Sequence, residues 1–279
     1  MRPDAPPKIT IITPTYNQAG YIRDCIRSIQ DQRFGDYEHL IYDALSKDGT
    51  AEVVESFLTD PRIVYRRERD EGAADAINKG LEAATGDIVC WLNSDDAYFD
   101  PKVLARVVEL FEDHPDVQVV TGCGYFMAEN GRLISPCVMP DAARIGHDGM
   151  RRSDYFLQPA TFWRRNALRL DASLGFCFDW KLFLDFYESG FSVLYVPEYF
   201  AKYRLQPASK TVLDGAARRG EVVRMLRYGG APPAQIAWAR FIHLCYRVSE
   251  RTGFPGLRRS TRTLNTAAHF LTAGRIFSP

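Results

Sequence analysis

The carboxylates of this 279-residue chain that could do chemistry recur at one kind of place, just past short apolar runs. Four polar segments share that position: Thr13-Pro14-Thr15-Tyr16-Asn17, Asp43-Ala44-Leu45-Ser46-Lys47-Asp48-Gly49-Thr50, Asp70-Glu71-Gly72 and Asn93-Ser94-Asp95-Asp96. In a parallel α/β sheet, ligands bind in the crevice beyond the carboxyl ends of the strands, so these segments are expected around one cleft. Several carboxylates in one cleft repel each other unless a cation or a set of amide donors compensates. A divalent metal ion is the simplest compensation. Hard oxygen ligands favour Mg²⁺ or Mn²⁺, which take one or two protein carboxylates and complete their shell with water and phosphate oxygens. Asp95-Asp96 is the strongest candidate, because two adjacent acids between an apolar strand and Ala97-Tyr98-Phe99 repel unless something binds them. Asp48, Asp60 and Asp100 read instead as helix caps and turn residues.

The elements that must position these groups alternate in type. Lys8 is followed by Ile-Thr-Ile-Ile-Thr, a β-branched run suited to a strand buried on both faces. Residues 18–32 then place Tyr21, Ile22, Cys25, Ile26 and Ile29 at helical spacing. The same order predicts strands near 38–42, 62–65, 88–92 and 117–121, helices over 50–58 and 73–84, and a helix opening after Asp100-Pro101. Repeated β-α-β order implies an α/β fold with a mainly parallel sheet flanked by helices. After Gly122, Asn130-Gly131 between apolar stretches signals a hairpin grafted on the same sheet. Residues 213–279 read as helices broken at Gly229-Gly230, Pro232-Pro233 and residues 253–256.

Lys+Arg and Asp+Glu are 35 each, so no net charge points to a nucleic-acid partner, but the balance is uneven. Residues 210–279 hold twelve basic residues against Asp214, Glu221 and Glu250, a +9 tail on a −9 body. Six scattered cysteines, with no C-x-x-C pair, read as buried thiols in a reducing compartment. The opening residues lack a signal-peptide core and no eighteen-residue apolar run occurs, so the expectation is a cytoplasmic or peripheral protein.

Together with Ala73-Ala74-Asp75-Ala76-Ile77-Asn78-Lys79-Gly80 and Ala84-Thr85-Gly86-Asp87-Ile88-Val89-Cys90-Trp91-Leu92, the four polar segments resemble the family 2 glycosyltransferases in order and spacing. Weaker echoes at 158–165 and 178–182 extend the resemblance over roughly 8–212. It implies a GT-A fold in residues 1–212, with a nucleotide-sugar-binding half over 8–123 and an acceptor-binding half over 124–212, followed by the basic helical extension 213–279. By the same resemblance Pro14, Thr15 and Tyr16 line the base and ribose of a nucleotide-sugar donor, and Asp43 hydrogen-bonds the base edge, most often uracil. Asn93-Ser94-Asp95 stands where the family has D-x-D. Asp95, with Asp96, would hold Mn²⁺ or Mg²⁺ on the diphosphate, Asn93 would reach ribose or phosphate, and Asp75 and Lys79 match positions facing the donor. Asp179 would be the base that takes the acceptor's proton in an inverting transfer, its pKa raised by Phe176, Phe178 and Trp180. It also reads as an N-cap of the following helix. Gln158 and Trp180 fall to the acceptor, expected to be a saccharide or lipid-linked saccharide of surface polysaccharide biosynthesis. A nucleotidyltransferase would need a Gly-rich phosphate loop that Pro14-Thr15-Tyr16-Asn17 does not supply; a non-catalytic binding protein on the same scaffold is the other alternative.

Two departures stand out. Ala44 and Leu45 replace small glycines near the base, and Gln206 stands where relatives commonly have a histidine that is sometimes a metal ligand. Arg204, Ser209 and Lys210 are candidates for the diphosphate or for a basic surface loop. In the tail, Ile236 to Val248 is amphipathic, and three uses stand open: an interfacial helix on an anionic membrane through 236–279, packing on the body or on another copy in a homo-oligomer, and charge pairing with the acidic body.

Overall fold

The structure is a computed structural model that describes residues 8–137, 146–207 and 215–252. Ser209, Lys210, the break at 253–256 and the basic residues beyond it lie outside the described residues.

The expected alternation forms: β1 (Ile9–Thr15), α1 (Ile22–Gln30), β2 (Tyr37–Asp43), α2 (Thr50–Glu55), β3 (Ile63–Arg67), α3 (Ala73–Ala83) and β4 (Ile88–Trp91). These strands pair in parallel in the order β3-β2-β1-β4. All seven residues of β1 are buried, as its unbroken β-branched run requires for a central strand covered on both faces. Two glycines permit the tight layering. A Cβ on Gly80 in α3 would meet Ile12 Cγ2 at 2.5 Å, and one on Gly86 would meet the backbone nitrogen of Thr10 at 2.7 Å.

Beyond β4 the sheet becomes mixed, because helical crossovers no longer separate all of its strands. β5 (Ala97–Tyr98), α4 (Val103–Asp113), β6 (Val119–Ala128), β7 (Leu133–Cys137), α5 (His147–Met150), a 3₁₀ turn (Gln158–Ala160), β8 (Thr161–Arg164), α6 (Phe178–Glu188) and β9 (Val193–Leu205) complete the body. β8 lies antiparallel between β4 and β6, and β6 runs parallel to β9. The Asn130-Gly131 hairpin joins β6 to β7 on the same sheet, with Gly131 at φ 85°. One long β6–β9 pair thereby bridges the core to the far end of the molecule.

The extension supplies α7 (Ala216–Tyr228) and α8 (Pro233–Thr252), separated at the expected Gly-Gly and Pro-Pro break. They pack on the body: Met225, Leu226 and Ala231 belong to the main buried cluster, and Ile236 and Ala239 lean on it. Gly220 lets the two helices close up, since a Cβ there would stand 3.2 Å from the His243 ring. The outer face of α8 leaves Ala237, Phe241, Leu244 and Val248 exposed beside Arg240, Arg247 and Arg251. Among the described residues no helix is long and apolar enough to cross a membrane. All six cysteines are unbonded, and all but Cys245 are buried.

Candidate active site

The carboxyl ends of β1 and β2 are stitched together by their own polar side chains. The backbone N–H of Asn17 donates to Ser46 Oγ at 2.8 Å, that of Lys47 to Asn17 Oδ1 at 2.9 Å, and those of Gln18 and Ala19 to Thr50 Oγ1 and Asp48 Oδ2. Asp48 also accepts from the Thr50 backbone N–H, so it acts as a turn residue ahead of α2, whose N-cap is Gly49. The path demands left-handed backbone at Asn17 (φ 52°) and Leu45 (φ 60°). Asparagine tolerates that region; leucine carries a penalty of about 1 kcal/mol, which is the physical content of losing a glycine here.

Tyr16 stands on this rim 58% exposed, with its ring free to meet a planar ligand. Pro14 and Thr15 are buried, and Thr15 Oγ1 has no hydrogen-bond partner. Asp43 is buried. Its side chain is fully enclosed: Oδ1 accepts from the Ser46 N–H (2.8 Å) and Oγ–H (2.6 Å), Oδ2 accepts from Tyr65 O–H (2.7 Å), and the Arg67 guanidinium lies at 3.6 Å. In this arrangement Asp43 ties the loop after β2 to β3. Asp75 accepts from the Glu71 N–H and pairs with Lys79 at 3.3 Å at the opening of α3.

The turn after β4 has an inner and an outer acid. Asp96 is buried, with Oδ1 accepting from the Arg204 backbone N–H at 2.9 Å and Oδ2 from Asn93 Nδ2 at 3.2 Å. Burial, reinforced by the Asp95 charge, pushes the Asp96 pKa well above the carboxylate range. Asp95 is partly exposed, burial raises its pKa as well, and Gln206 Nε2 donates to its Oδ2 at 3.2 Å. Burial thus disfavours the charged form of both acids, a cost that a divalent cation would relieve. Among the described residues no three His, Cys, Asp or Glu side chains gather as a metal site. A cation here would be held by Asp95 with water and ligand oxygens, the arrangement Mg²⁺ commonly adopts.

Arg204 corrects both sequence expectations for it. It is neither on a surface loop nor free for a diphosphate: it is 2% exposed, and its guanidinium donates to the carbonyls of Asp95 (2.8 Å) and Glu129 (2.6 Å) and to Asp24 Oδ2 (2.9 Å). It clamps β9 to the Asp95 turn.

The second part of the site is a cavity of about 420 Å³ walled by body and extension together. Asp154, Gln158, Asp179 and Trp180 line it from the body, Arg218 from α7 and Trp238 from α8. Asp179 lies in the first turn of α6 and receives the Trp180 N–H at 2.8 Å; the N-cap is Cys177, not Asp179. Gln158 connects the two parts, since its Oε1 accepts from Asn93 Nδ2 (2.9 Å) while its Nε2 donates to the Trp91 carbonyl (2.7 Å). With both ends engaged, Gln158 acts as a strut at the cavity wall. The Trp180 indole N–H is likewise committed, to the Met150 carbonyl at 2.6 Å. Trp238 Nε1, by contrast, is buried without a hydrogen-bond partner.

Residues 10–168 match the model of glycosyl transferase family 2, more than half of the chain. The chain belongs to this family. A PGL/p-HBAD biosynthesis glycosyltransferase of Mycobacterium tuberculosis is 34% identical over 120 residues, 42% of this chain and 47% of that protein. TuaG of Bacillus subtilis, named for teichuronic acid biosynthesis, is 37% identical over 127 residues, 45% of this chain and 50% of its own length. The match thus spans about half the length of these curated relatives. Among solved structures, the mannosyltransferase PcManGT from Pyrobaculum calidifontis, in complex with GDP-Man and Mn²⁺, aligns with a TM-score of 0.64 at 20% identity over 98% of this chain and 78% of that one. Staphylococcus aureus TarS 1–349 in complex with UDP-GlcNAc gives 0.63 at 17% over 87% and 73%. At that identity the likeness is one of fold, the GT-A fold of these family members.

Thr15 and Tyr16 thus stand at the end of β1, Asp75 in the first turn of α3 and Asp95 in the turn after β4, while Asp179 lines the cavity that Gln158 shares with that turn. Sequence reasoning missed Asp154 and Glu221. Asp154 is half-buried in the cavity wall, and desolvation together with the Asp179 charge raises its pKa well above the ordinary carboxylate value. Its signal was a lone acid leading into Tyr155-Phe156-Leu157. Glu221 accepts three backbone N–H groups from residues 175–177, and its signal was an isolated acid among arginines.

Proposed function

We propose that the protein is an inverting, metal-dependent glycosyltransferase that moves a sugar from a nucleotide-sugar donor, a UDP-sugar in the first instance, to a saccharide or lipid-linked saccharide acceptor in surface polysaccharide biosynthesis. One observation carries the reading: the Gln158 side chain touches the turn bearing Asp95 and also lines the cavity bearing Asp179, so a donor at the first and an acceptor in the second would adjoin. Relatives named for PGL/p-HBAD and teichuronic acid biosynthesis, and fold neighbours holding UDP-GlcNAc or GDP-Man with Mn²⁺, support the substrate class.

In this reading Tyr16 stacks on the base, Thr15 offers its unpartnered hydroxyl to the nucleoside, and Asp43 acts by holding the loop in shape. Asp95 binds Mn²⁺ or Mg²⁺, with Gln206 steadying the carboxylate and Asp96 bracing the turn from inside. The metal, when bound, neutralises charge growing on the departing diphosphate. Asp179 accepts the proton of the acceptor hydroxyl as its oxygen attacks the anomeric carbon from the face opposite the diphosphate. The Trp238 N–H is a donor available to a second acceptor hydroxyl. Exposed Phe241, Leu244 and Val248 beside Arg240, Arg247 and Arg251 suit contact with an anionic membrane on its cytoplasmic side, where a lipid-linked acceptor would be presented.

The test is release of UDP or GDP from UDP-GlcNAc and GDP-Man, with and without Mn²⁺, against a panel of saccharide acceptors, with the product anomer read by NMR. Metal-dependent transfer with inversion supports the reading. Nucleotide binding with no turnover of any donor would favour the non-catalytic alternative.

A further inference from the structure

Glu221 belongs to α7, in the extension, yet its carboxylate is spent entirely on the body. Oε1 accepts the Gly175 N–H at 2.8 Å, and Oε2 accepts those of Phe176 (2.8 Å) and Cys177 (2.9 Å). These three residues are the approach to α6, whose first turn carries Asp179. Three consecutive amide donors converging on one carboxylate fix the path of a segment that otherwise has no strand or helix to hold it. The rest of the hairpin grips other places. Tyr228 O–H donates to Asp185 Oδ1 at 2.9 Å further along α6, Gln235 Nε2 donates to the Arg152 carbonyl, and Gly229 lies so close to Arg151 that a Cβ would stand 2.9 Å from its carbonyl oxygen. Of these contacts between described residues, those of Glu221 reach the segment that enters the Asp179 turn.

We infer that Glu221 is a positioning residue for Asp179, so that the extension sets the catalytic geometry of the body and its docking is a condition of turnover. The inference rests on the reading of Asp179 as the base. Without Glu221 the 175–177 amides would turn to water and the first turn of α6 would lose its fixed approach. A displacement of about 1 Å at a reacting group is enough to lower a rate by about 10²-fold. Donor binding, read as belonging to the β1 and β2 loops and the Asp95 turn, which Glu221 does not touch, would be unchanged.

The experiment compares Glu221→Ala, Glu221→Gln and Tyr228→Phe in the full chain, using UDP-GlcNAc and GDP-Man with Mn²⁺ as probe donors. It reads kcat and donor KM, together with hydrogen exchange of the peptide spanning residues 172–182. Glu221→Ala should lower kcat by about 10²-fold, leave donor KM within about twofold and speed exchange in that peptide alone. Glu221→Gln, which keeps an acceptor oxygen but no charge, should fall between wild type and Ala, and Tyr228→Phe should keep the wild-type kcat. Adding Glu221→Ala to Asp179→Asn should cost nothing further. A wild-type kcat in Glu221→Ala with unchanged exchange overturns the inference, as does a loss shared equally by KM and by exchange throughout the chain. Should Glu221→Ala fail to fold, the Gln variant decides by the same split. An active Asp179→Asn would sink the base assignment instead, with the exchange of residues 172–182 still reporting what Glu221 holds.

Discussion

The donor rim and the Asp179 cavity are both built from loops, but different kinds of neighbour hold them. The rim is self-contained: Asn17, Ser46, Asp48 and Thr50 come from the two loops they join, all within residues 10–168. The cavity is held in part from outside that region: Asp154 and Gln158 lie within it, but Asp179 is on α6, Glu221 and Arg218 on α7 and Trp238 on α8. The two loops of the rim can thus be written into short local motifs, whereas the cavity, read here as the acceptor side, draws part of its wall from chain later in the sequence. The tail's acids illustrate the difference. Glu221 accepts the amides leading into α6 and Glu250 accepts the Ala216 N–H at the start of α7, so both act at helix N-termini, where negative charge is favoured.

The sharpest way to break this comparison is Asp179→Asn, which touches only the cavity. It should lower turnover by about 10³-fold while leaving nucleotide affinity within about twofold, measured by steady-state kinetics and nucleotide titration. Loss of nucleotide affinity in that variant would mean that the two halves are one.

Arg204→Met probes the clamp between β9 and the Asp95 turn. Removing its donors breaks the bonds to the Asp95 and Glu129 carbonyls and to Asp24 and leaves the buried Asp96 without that nearby charge, and thermal or urea unfolding should show a loss of about 3 kcal/mol. A loss below about 1 kcal/mol would mean water replaces the clamp and would move Arg204 out of the structural account.

The smallest effect expected concerns pH. Asp154 faces Asp179 and the Arg218 charge, and burial raises its pKa in the folded state. Below the unfolded value of about 4 both states are protonated and nothing is lost. As pH rises past that value the unfolded chain releases the proton while the native protein retains it, so stability declines up to the raised folded pKa. Asp154→Asn should therefore raise the melting temperature more at pH 8 than at pH 4. An equal shift at both pH values would show that Asp154 is not held neutral.

Much of the donor half was legible in advance because its signals are local. The strand runs, the loop motifs and the Asn130-Gly131 turn depend on a few consecutive residues, and each element formed near its expected place. The sheet beyond β4 was less so, because antiparallel insertion of β8 between β4 and β6 depends on partners about 75 and 40 residues away. Depth was also hidden. Asp43, Asp96 and Arg204 read as ligand-facing residues or surface groups from their types, but whether a carboxylate meets a ligand or a backbone amide depends on packing that spacing does not encode. The amphipathic α8 had several uses on paper and divides them in space: Ile242 and Tyr246 are buried inward, while Phe241 and Leu244 stand exposed.

The central claim, that metal and nucleotide belong to Asp95 and proton transfer to Asp179, is tested most directly by calorimetric titration of UDP and GDP with and without Mn²⁺. Wild type, Asp95→Ala and Asp179→Asn would be compared. The account predicts metal-dependent binding of one nucleotide by wild type and by Asp179→Asn, and binding weaker by about tenfold or more in Asp95→Ala, about 1.4 kcal/mol or more. Unchanged affinity in Asp95→Ala with Mn²⁺ present would contradict it.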